Sequence, residues 1–296
     1  MKTDMALRIE AFRQRIAPDA ERVAVIALAE DGSRDITTDV CVPTGPAGVG
    51  VLEYRSGGVL AGTRHADAIV AACGLAPIDW SAREGDLVPV NARIGTIRGD
   101  LRAILRAERP LLNIVQRASG IAIATRAFAD ALAGTGCGVL HTRKTAPGLR
   151  ILDVSGVLAG GGVLHRTDLA ETVMVKDNHW QALRGRGVSL DDALDHARAL
   201  GSRGTHVEVE TREQVELACR ARATRLLVDN QSPETVRDWA EIARRLAPGI
   251  EIEATGGITI ANARGYADAG VDFISIGGLT HSVKGADIAL EVSEAR

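Results

Sequence analysis

Residues 225–257 read RLLVDNQSPETVRDWAEIARRLAPGIEIEATGG, and their rhythm decides the fold. An apolar run at 225–228 ends in Asp229-Asn230, a helical stretch comes next at 233–246, and a second apolar run at 251–254 ends in Thr255-Gly256-Gly257. Strands that alternate with helices pair in parallel, because each crossover returns the chain to the same edge of the sheet. The same pattern extends to either side. Strands are expected at 138–141, 172–175, 206–209 and 273–276, and helices near 190–200, 212–221, 260–268 and 287–292. The residues just past the strands matter most: Arg143-Lys144, Lys176-Asp177-Asn178-His179, Glu208 with Glu210, Asp229-Asn230, Thr255-Gly256-Gly257 and Gly277-Gly278. In an α/β barrel that edge is the active-site face, so residues far apart in sequence are expected to share one cavity.

The first half of the chain has a different character. Residues 5–30 read as two short helices, with Pro18 near the start of the second. From 46 to 98, short β-like runs punctuated by glycine surround one helix at 65–73, which makes a small α+β unit. Asp100 is placed to cap a helix running to Ala107, and another extends from Pro110 to Ala133. The length of 296 residues fits two domains.

Composition excludes several classes. With 46% hydrophobic and 25% charged residues and a mean hydropathy of +0.04, the chain is an ordinary globular protein able to bury a core. No apolar run is long enough for a membrane span, and no secretory leader is expected. A net charge of −3 without a basic block leaves no footprint for nucleic acid. Cys41, Cys73, Cys137 and Cys219 are too scattered for a zinc ribbon or a disulfide framework, so a reduced cytoplasm is the expected setting. Gly134-Thr135-Gly136 precedes a strand instead of coming after one, so it is no dinucleotide fingerprint.

The strand ends suggest a ligand. Glycine pairs at Gly256-Gly257 and Gly277-Gly278 let backbone N–H groups approach a phosphate, and the loops after the last two barrel strands are the usual phosphate site. Arg143, Lys144, His165, Arg166 and Lys176 are too many cations to gather without a multiply anionic partner, and planar arginine forks suit a di- or tricarboxylate. Only four of the 35 basic residues are lysine, at positions 2, 144, 176 and 284. At Lys144 and Lys176, inside polar Gly-rich segments, a compact ammonium is the expected requirement. Glu208 and Asp229 on adjacent strands are suited to hold Mg²⁺, bind ribose hydroxyls or stabilise a developing cation.

Five segments then carry a resemblance: 108–113 (ERPLLN), 116–122 (QRASGIA), 142–150 (TRKTAPGLR), 160–166 (GGGVLHR) and 176–179 (KDNH). With 35–38 (DITT), 58–62 (GVLAG), 208–210, 229–230, 256–258 and 277–282, the chain resembles the quinolinate phosphoribosyltransferases, the carboxylating nicotinate-nucleotide pyrophosphorylases, from end to end. The resemblance implies a type II phosphoribosyltransferase fold: an N-terminal open-faced α/β sandwich over 1–112, an incomplete seven-stranded parallel α/β barrel over 113–282, and a tail at 283–296 returning to the first domain. It implies transfer of phosphoribose from phosphoribosyl pyrophosphate (PRPP) to quinolinate with Mg²⁺, giving nicotinate mononucleotide, pyrophosphate and CO₂ in NAD biosynthesis. The partners implied are these two small molecules and a second subunit, in a homodimer or a hexamer of three dimers. By motif match, Thr142, Arg143, Lys144, His165, Arg166 and Lys176 line the acid pocket, with Arg109 reaching in from the partner. Lys144, Glu208 and Asp229 take the catalytic positions. Glu208 and Asp229, as Mg²⁺ ligands directly or through water, join Thr255, Gly256, Gly257, Gly277, Gly278 and His281 around PRPP.

Three departures from the family pattern are expected to fall around the acid pocket: His141 where an acidic residue is usual, Leu164 where Asn is usual, and Asp153-Val154-Ser155-Gly156-Val157 for a Glu-Lys-Tyr-Ala-Val-like helix. Two other functions remain open on the sequence. One is a paralogue acting on another aromatic or heterocyclic acid; the other is a non-catalytic binding protein on this fold.

Overall fold

The structure, a computed structural model, describes residues 2–295 and divides into two compact units. One comprises Met1–Arg126, Lys144–Leu164 and Gly278–Arg296; the other comprises Ala127–Arg143 and His165–Gly277.

The first unit opens with helix α1 (Lys2–Glu30). The sequence predicts two short helices here. Pro18 instead lies inside one continuous helix, whose faces pack on later helices of the same unit and outweigh the lost backbone hydrogen bond. Helix α2 (Ile36–Cys41) is capped by Asp35, whose carboxylate accepts the Thr38 N–H at 3.0 Å. Then come β1 (Ala47–Tyr54), β2 (Gly58–Val59), α3 (Thr63–Ala72), β3 (Asp79–Trp80), β4 (Leu87–Val88) and β5 (Ala92–Asp100). Asp100 starts α4 (Leu101–Ala131) by accepting the N–H groups of Arg102 and Ala103. Two helices separated near Pro110 are predicted; Pro110 is again interior, and α4 runs through it. Apolar residues from the sheet and from α3 and α4, among them Leu52, Ile69, Ile97, Ile104 and Leu111, form one buried core.

In the second unit the parallel sheet begins at β6 (Gly138–Leu140). Helix α5 (Arg150–Ala159), which belongs to the first unit, comes next in sequence. The rest of the second unit is β7 (Val173–Val175), α6 (Asp177–Arg186), α7 (Leu190–Ala199), β8 (Thr205–Val209), α8 (Arg212–Arg220), β9 (Arg225–Asp229), α9 (Pro233–Leu246), β10 (Glu251–Thr255), α10 (Ile260–Asp268) and β11 (Phe273–Ser275). The strand order is β6-β11-β10-β9-β8-β7, and every pairing is parallel. Six strands are assigned where the resemblance implies seven. Between α5 and β7 the described chain carries a single bridge residue, Val163, and no ladder. There the N–H of His165 is satisfied by a side chain, His141 Nε2 at 3.0 Å, instead of by a neighbouring strand.

The chain ends in the first unit with α11 (Gly278–His281) and β12 (Ile288–Glu294), which pairs antiparallel with β1. The predicted helix at 287–292 is therefore corrected to a strand. Ile288, Leu290 and Val292 recur at every second position, so only a strand turns all three toward one face.

Candidate active site

Within the parallel sheet, residues two apart in a strand share a face. His206 and Glu208 therefore lie on one face of β8, Arg225 and Asp229 on one face of β9, and Glu251, Glu253 and Thr255 on one face of β10. Register sets them in rows. Arg225 stands beside His206 and Glu251, and Asp229 stands beside Thr255. The C-terminal ends of three neighbouring strands thus present Glu208, Asp229 and Thr255 together.

Glu208 is buried, and its carboxylate pairs with Lys176 Nζ, while Glu210 is exposed beyond the strand. Trp180 Nε1 donates to the Glu208 carbonyl at 2.8 Å and so ties α6 to the end of β8. His179 Nδ1 accepts the Lys176 N–H at 3.1 Å. The KDNH run is therefore a helix cap that fixes where Lys176 starts from. Burial, then the neighbouring Glu208 charge, pushes the Asp229 carboxyl above its usual range. Asn230 takes φ of 53° and donates from its side chain to Asp229 at 2.7 Å, while its backbone N–H donates to the Thr255 carbonyl at 2.9 Å. Gly256 closes against this turn. With φ of 83°, any Cβ there would fall 2.1 Å from Asn230 Oδ1, so only glycine fits. The pair Gly256-Gly257 precedes α10 by two residues, Ile258 and the N-cap Thr259.

The other edge of the same face is positive. Arg143 lies just past β6, and His165 and Arg166 are both buried. Burial, then the Arg143 charge, pushes the Arg166 guanidinium below its usual value. Arg166 donates to the Thr172 carbonyl at 3.0 Å. Among the described residues, Arg143 Nε and His206 Nδ1 are buried without a hydrogen-bond partner, and the buried His165 Nε2 meets the Glu253 carboxylate at 3.4 Å. Nitrogen atoms so placed are costly unless a ligand or water meets them.

Beneath these residues lies a buried polar chain that the strand-end reading misses. The rings of His141 and His165 meet edge to face at 6.1 Å, and those of His165 and His206 at 5.8 Å. His165 Nε2 lies 3.4 Å from Glu253, which accepts from Arg225 at 3.0 Å; Arg225 also donates to Glu251 at 2.6 Å. Burial works against the Glu253 charge, but His165, Arg225 and Ser275 outweigh it and hold the carboxyl far below its usual range. Burial and the nearby Arg225 charge push His206 down to about 3. The signal is present in 251–255: Glu-Ile-Glu-Ala-Thr puts three polar residues on one face of a core strand.

Of the remaining expected site residues, Thr142 and Gly277 belong to the second unit, and Arg109, Lys144, Gly278 and His281 belong to the first. Lys144, Arg109 and His281 are exposed, and Gly278 opens α11. The three departures each have defined contacts. His141 supplies an acceptor to the His165 N–H, a role that a carboxylate also performs. Leu164 packs with Phe12, Ile151 and Val154 in a hydrophobic cluster. Asp153 is fully buried against Arg117, and Ser155 turns back to the Ile151 carbonyl.

Two family descriptions cover nearly all of this architecture: the N-terminal domain of quinolinate phosphoribosyl transferase matches residues 35–119, and its C-terminal domain matches 121–291. The chain belongs to the quinolinate phosphoribosyltransferase family. A chloroplastic carboxylating nicotinate-nucleotide pyrophosphorylase of Arabidopsis thaliana is 38% identical in an alignment that covers 93% of this chain and 83% of that protein. The carboxylating enzyme of Mycobacterium leprae is 36% identical, covering 87% of this chain and 91% of its own length. The nicotinate-nucleotide pyrophosphorylase of Francisella tularensis superposes with a TM-score of 0.86 at 30% identity, over 94% of this chain and 97% of that one. In this member of the family, then, a positive edge and a carboxylate edge share one face of the barrel unit.

Proposed function

We propose that the chain is a carboxylating nicotinate-nucleotide pyrophosphorylase, transferring phosphoribose from PRPP to quinolinate in NAD biosynthesis. The observation that carries the reading is the buried, partnerless Nε of Arg143, beside the buried His165 and Arg166, opposite the carboxylate edge of Glu208 and Asp229. A dicarboxylate satisfies the first group, and a sugar that gains positive charge suits the second.

In this reading Arg143, His165, Arg166, Lys176, Thr142 and Lys144 hold the two ring carboxylates and aim the ring nitrogen. Arg109 completes the pocket from a partner subunit of a homodimer or a hexamer. The nitrogen lone pair attacks the ribose C1 as the bond to pyrophosphate breaks and its electrons leave with pyrophosphate. Glu208 and Asp229 stabilise the charge that builds on the sugar. Backbone N–H groups of Thr255, Gly256, Gly257, Gly277 and Gly278, with His281, receive the phosphates. The carbon–carbon bond to the 2-carboxylate then breaks, CO₂ departs, and the electrons remain on the ring carbon beside the positive nitrogen. Lys144 delivers the proton that replaces it.

Mg²⁺ neutralises the leaving pyrophosphate when bound. Among the described residues no group of three or more His, Cys, Asp or Glu could hold a metal ion. Two carboxylates, Glu208 and Asp229, nevertheless suit an ion that Mg²⁺-binding phosphates bring with them, because Mg²⁺ takes few protein ligands in such sites. A cytoplasmic setting accords with four unlinked cysteines, and no helix among the described residues is long and apolar enough to cross a membrane.

The test is pyrophosphate release from PRPP and Mg²⁺ with a panel of acids. Release with quinolinate and none with nicotinate is expected. Release only with a different acid would make the chain a paralogue, and silence across the panel would leave a binding protein.

A further inference from the structure

Asp153 is fully buried, yet both its oxygens are engaged. Oδ1 accepts Arg117 Nε at 2.7 Å, and Oδ2 accepts Arg117 Nη2 at 2.8 Å and the Ala146 N–H at 3.1 Å. The same Nη2 donates to the Thr280 carbonyl at 3.0 Å, and Thr280 Oγ1 donates to the Lys144 carbonyl at 2.7 Å. These contacts close a ring. It runs from Lys144 through Thr280, Arg117 and Asp153 to Ala146, two residues beyond Lys144. The helices beneath are pressed together one turn away, where a Cβ on Gly156 would lie 2.7 Å from the Ala118 carbonyl.

A buried ion pair is weak support for stability, since apolar side chains of the same volume often serve as well. A bidentate guanidinium–carboxylate pair does supply fixed directions. Every further bond it makes goes to backbone beside a function-bearing side chain: Ala146 in the Lys144 loop, and Thr280 next to His281. We infer that Arg117 and Asp153 are positioning residues that hold the Lys144 loop and α11 as one piece, so that the acid-binding and phosphate-binding ends are set together. This rests on the roles proposed above for Lys144 and His281.

The test uses the full chain carrying Asp153→Asn, and separately Thr280→Val, which removes the hydroxyl that donates to the Lys144 carbonyl. Amide hydrogen exchange on unliganded protein is read over 144–149 and 278–282, and steady-state kinetics give KM for each substrate and kcat. Asp153→Asn is expected to speed exchange in both segments together and to raise both KM values about tenfold, with a smaller change in kcat. Thr280→Val is expected to move the same quantities in the same direction by about threefold. Faster exchange in one segment only, a rise in one KM alone, or a lowered Tm with both KM values unchanged would overturn the inference. A wild-type chain inactive on quinolinate would break the functional reading by itself, and the exchange comparison would still decide what the pair does.

Discussion

The two edges of the barrel face solve opposite electrostatic problems. At the positive edge, Arg143, His165 and Arg166 stand over a chain in which Arg225 pairs with Glu251 and Glu253, and His206 packs against His165. The framework is braced from below, and among the described residues Arg143 Nε and His206 Nδ1 are buried without a hydrogen-bond partner. At the carboxylate edge, Glu208 is met by Lys176 from the neighbouring strand end and Asp229 by the adjacent Asn230, and Asp229 is destabilised as an anion. One edge is built rigid for an anion. The other satisfies its carboxylates with partners of its own.

This contrast is broken most severely by Glu208→Gln, which keeps the shape but removes the charge facing the sugar. It is expected to lower kcat by about a thousandfold with little change in KM for the acid, read from steady-state rates. The positive edge should give the reverse split. Arg143→Lys loses a planar donor fork and is expected to raise the KM for quinolinate by about 10- to 100-fold, leaving the KM for PRPP nearly unchanged.

Smaller effects come from titration. His206 is pushed down in the folded state, so it binds its proton more readily when unfolded. Its contribution is therefore complete above pH 6.5 and lost as pH falls toward 3. Thermal melts should show His206→Gln reducing the acid-side loss by about 1.4 kcal/mol per pH unit below 6.5. Asp229 has the opposite sign. Its raised pKa favours the protonated folded form, so its contribution is present at low pH and lost as pH rises through the carboxylate range. Asp229→Asn is expected to raise the Tm of the unliganded protein by about 2 °C at pH 7, with no gain near pH 3, while activity falls.

Much of this is legible in the sequence. Apolar runs ending in Lys176, Asp229 and Thr255 place three strands within a residue or so, because buried parallel strands leave an unambiguous signal. The segment 287–292 misleads because so few residues fit either period, and pairing with β1 settles it. Pro18 and Pro110 read as helix ends because local rules do not contain the tertiary packing that carries a helix across a proline. The strand-end logic finds the groups at the rim but not Glu253 or Arg225, which sit one row deeper. Leu164 and Asp153 are expected at the pocket because they lie where the chain departs from the family pattern. Their side chains are spent on a hydrophobic cluster and on Arg117.

The central claim is that the two edges act on one dicarboxylate and one phosphoribosyl donor in a single reaction. The most direct measurement tracks quinolinate labelled in its 2-carboxylate through a single turnover with PRPP and Mg²⁺. The account predicts one labelled CO₂ and one pyrophosphate for each nicotinate mononucleotide formed, and no CO₂ when PRPP is omitted. Label retained in the product, or CO₂ released without PRPP, would contradict it.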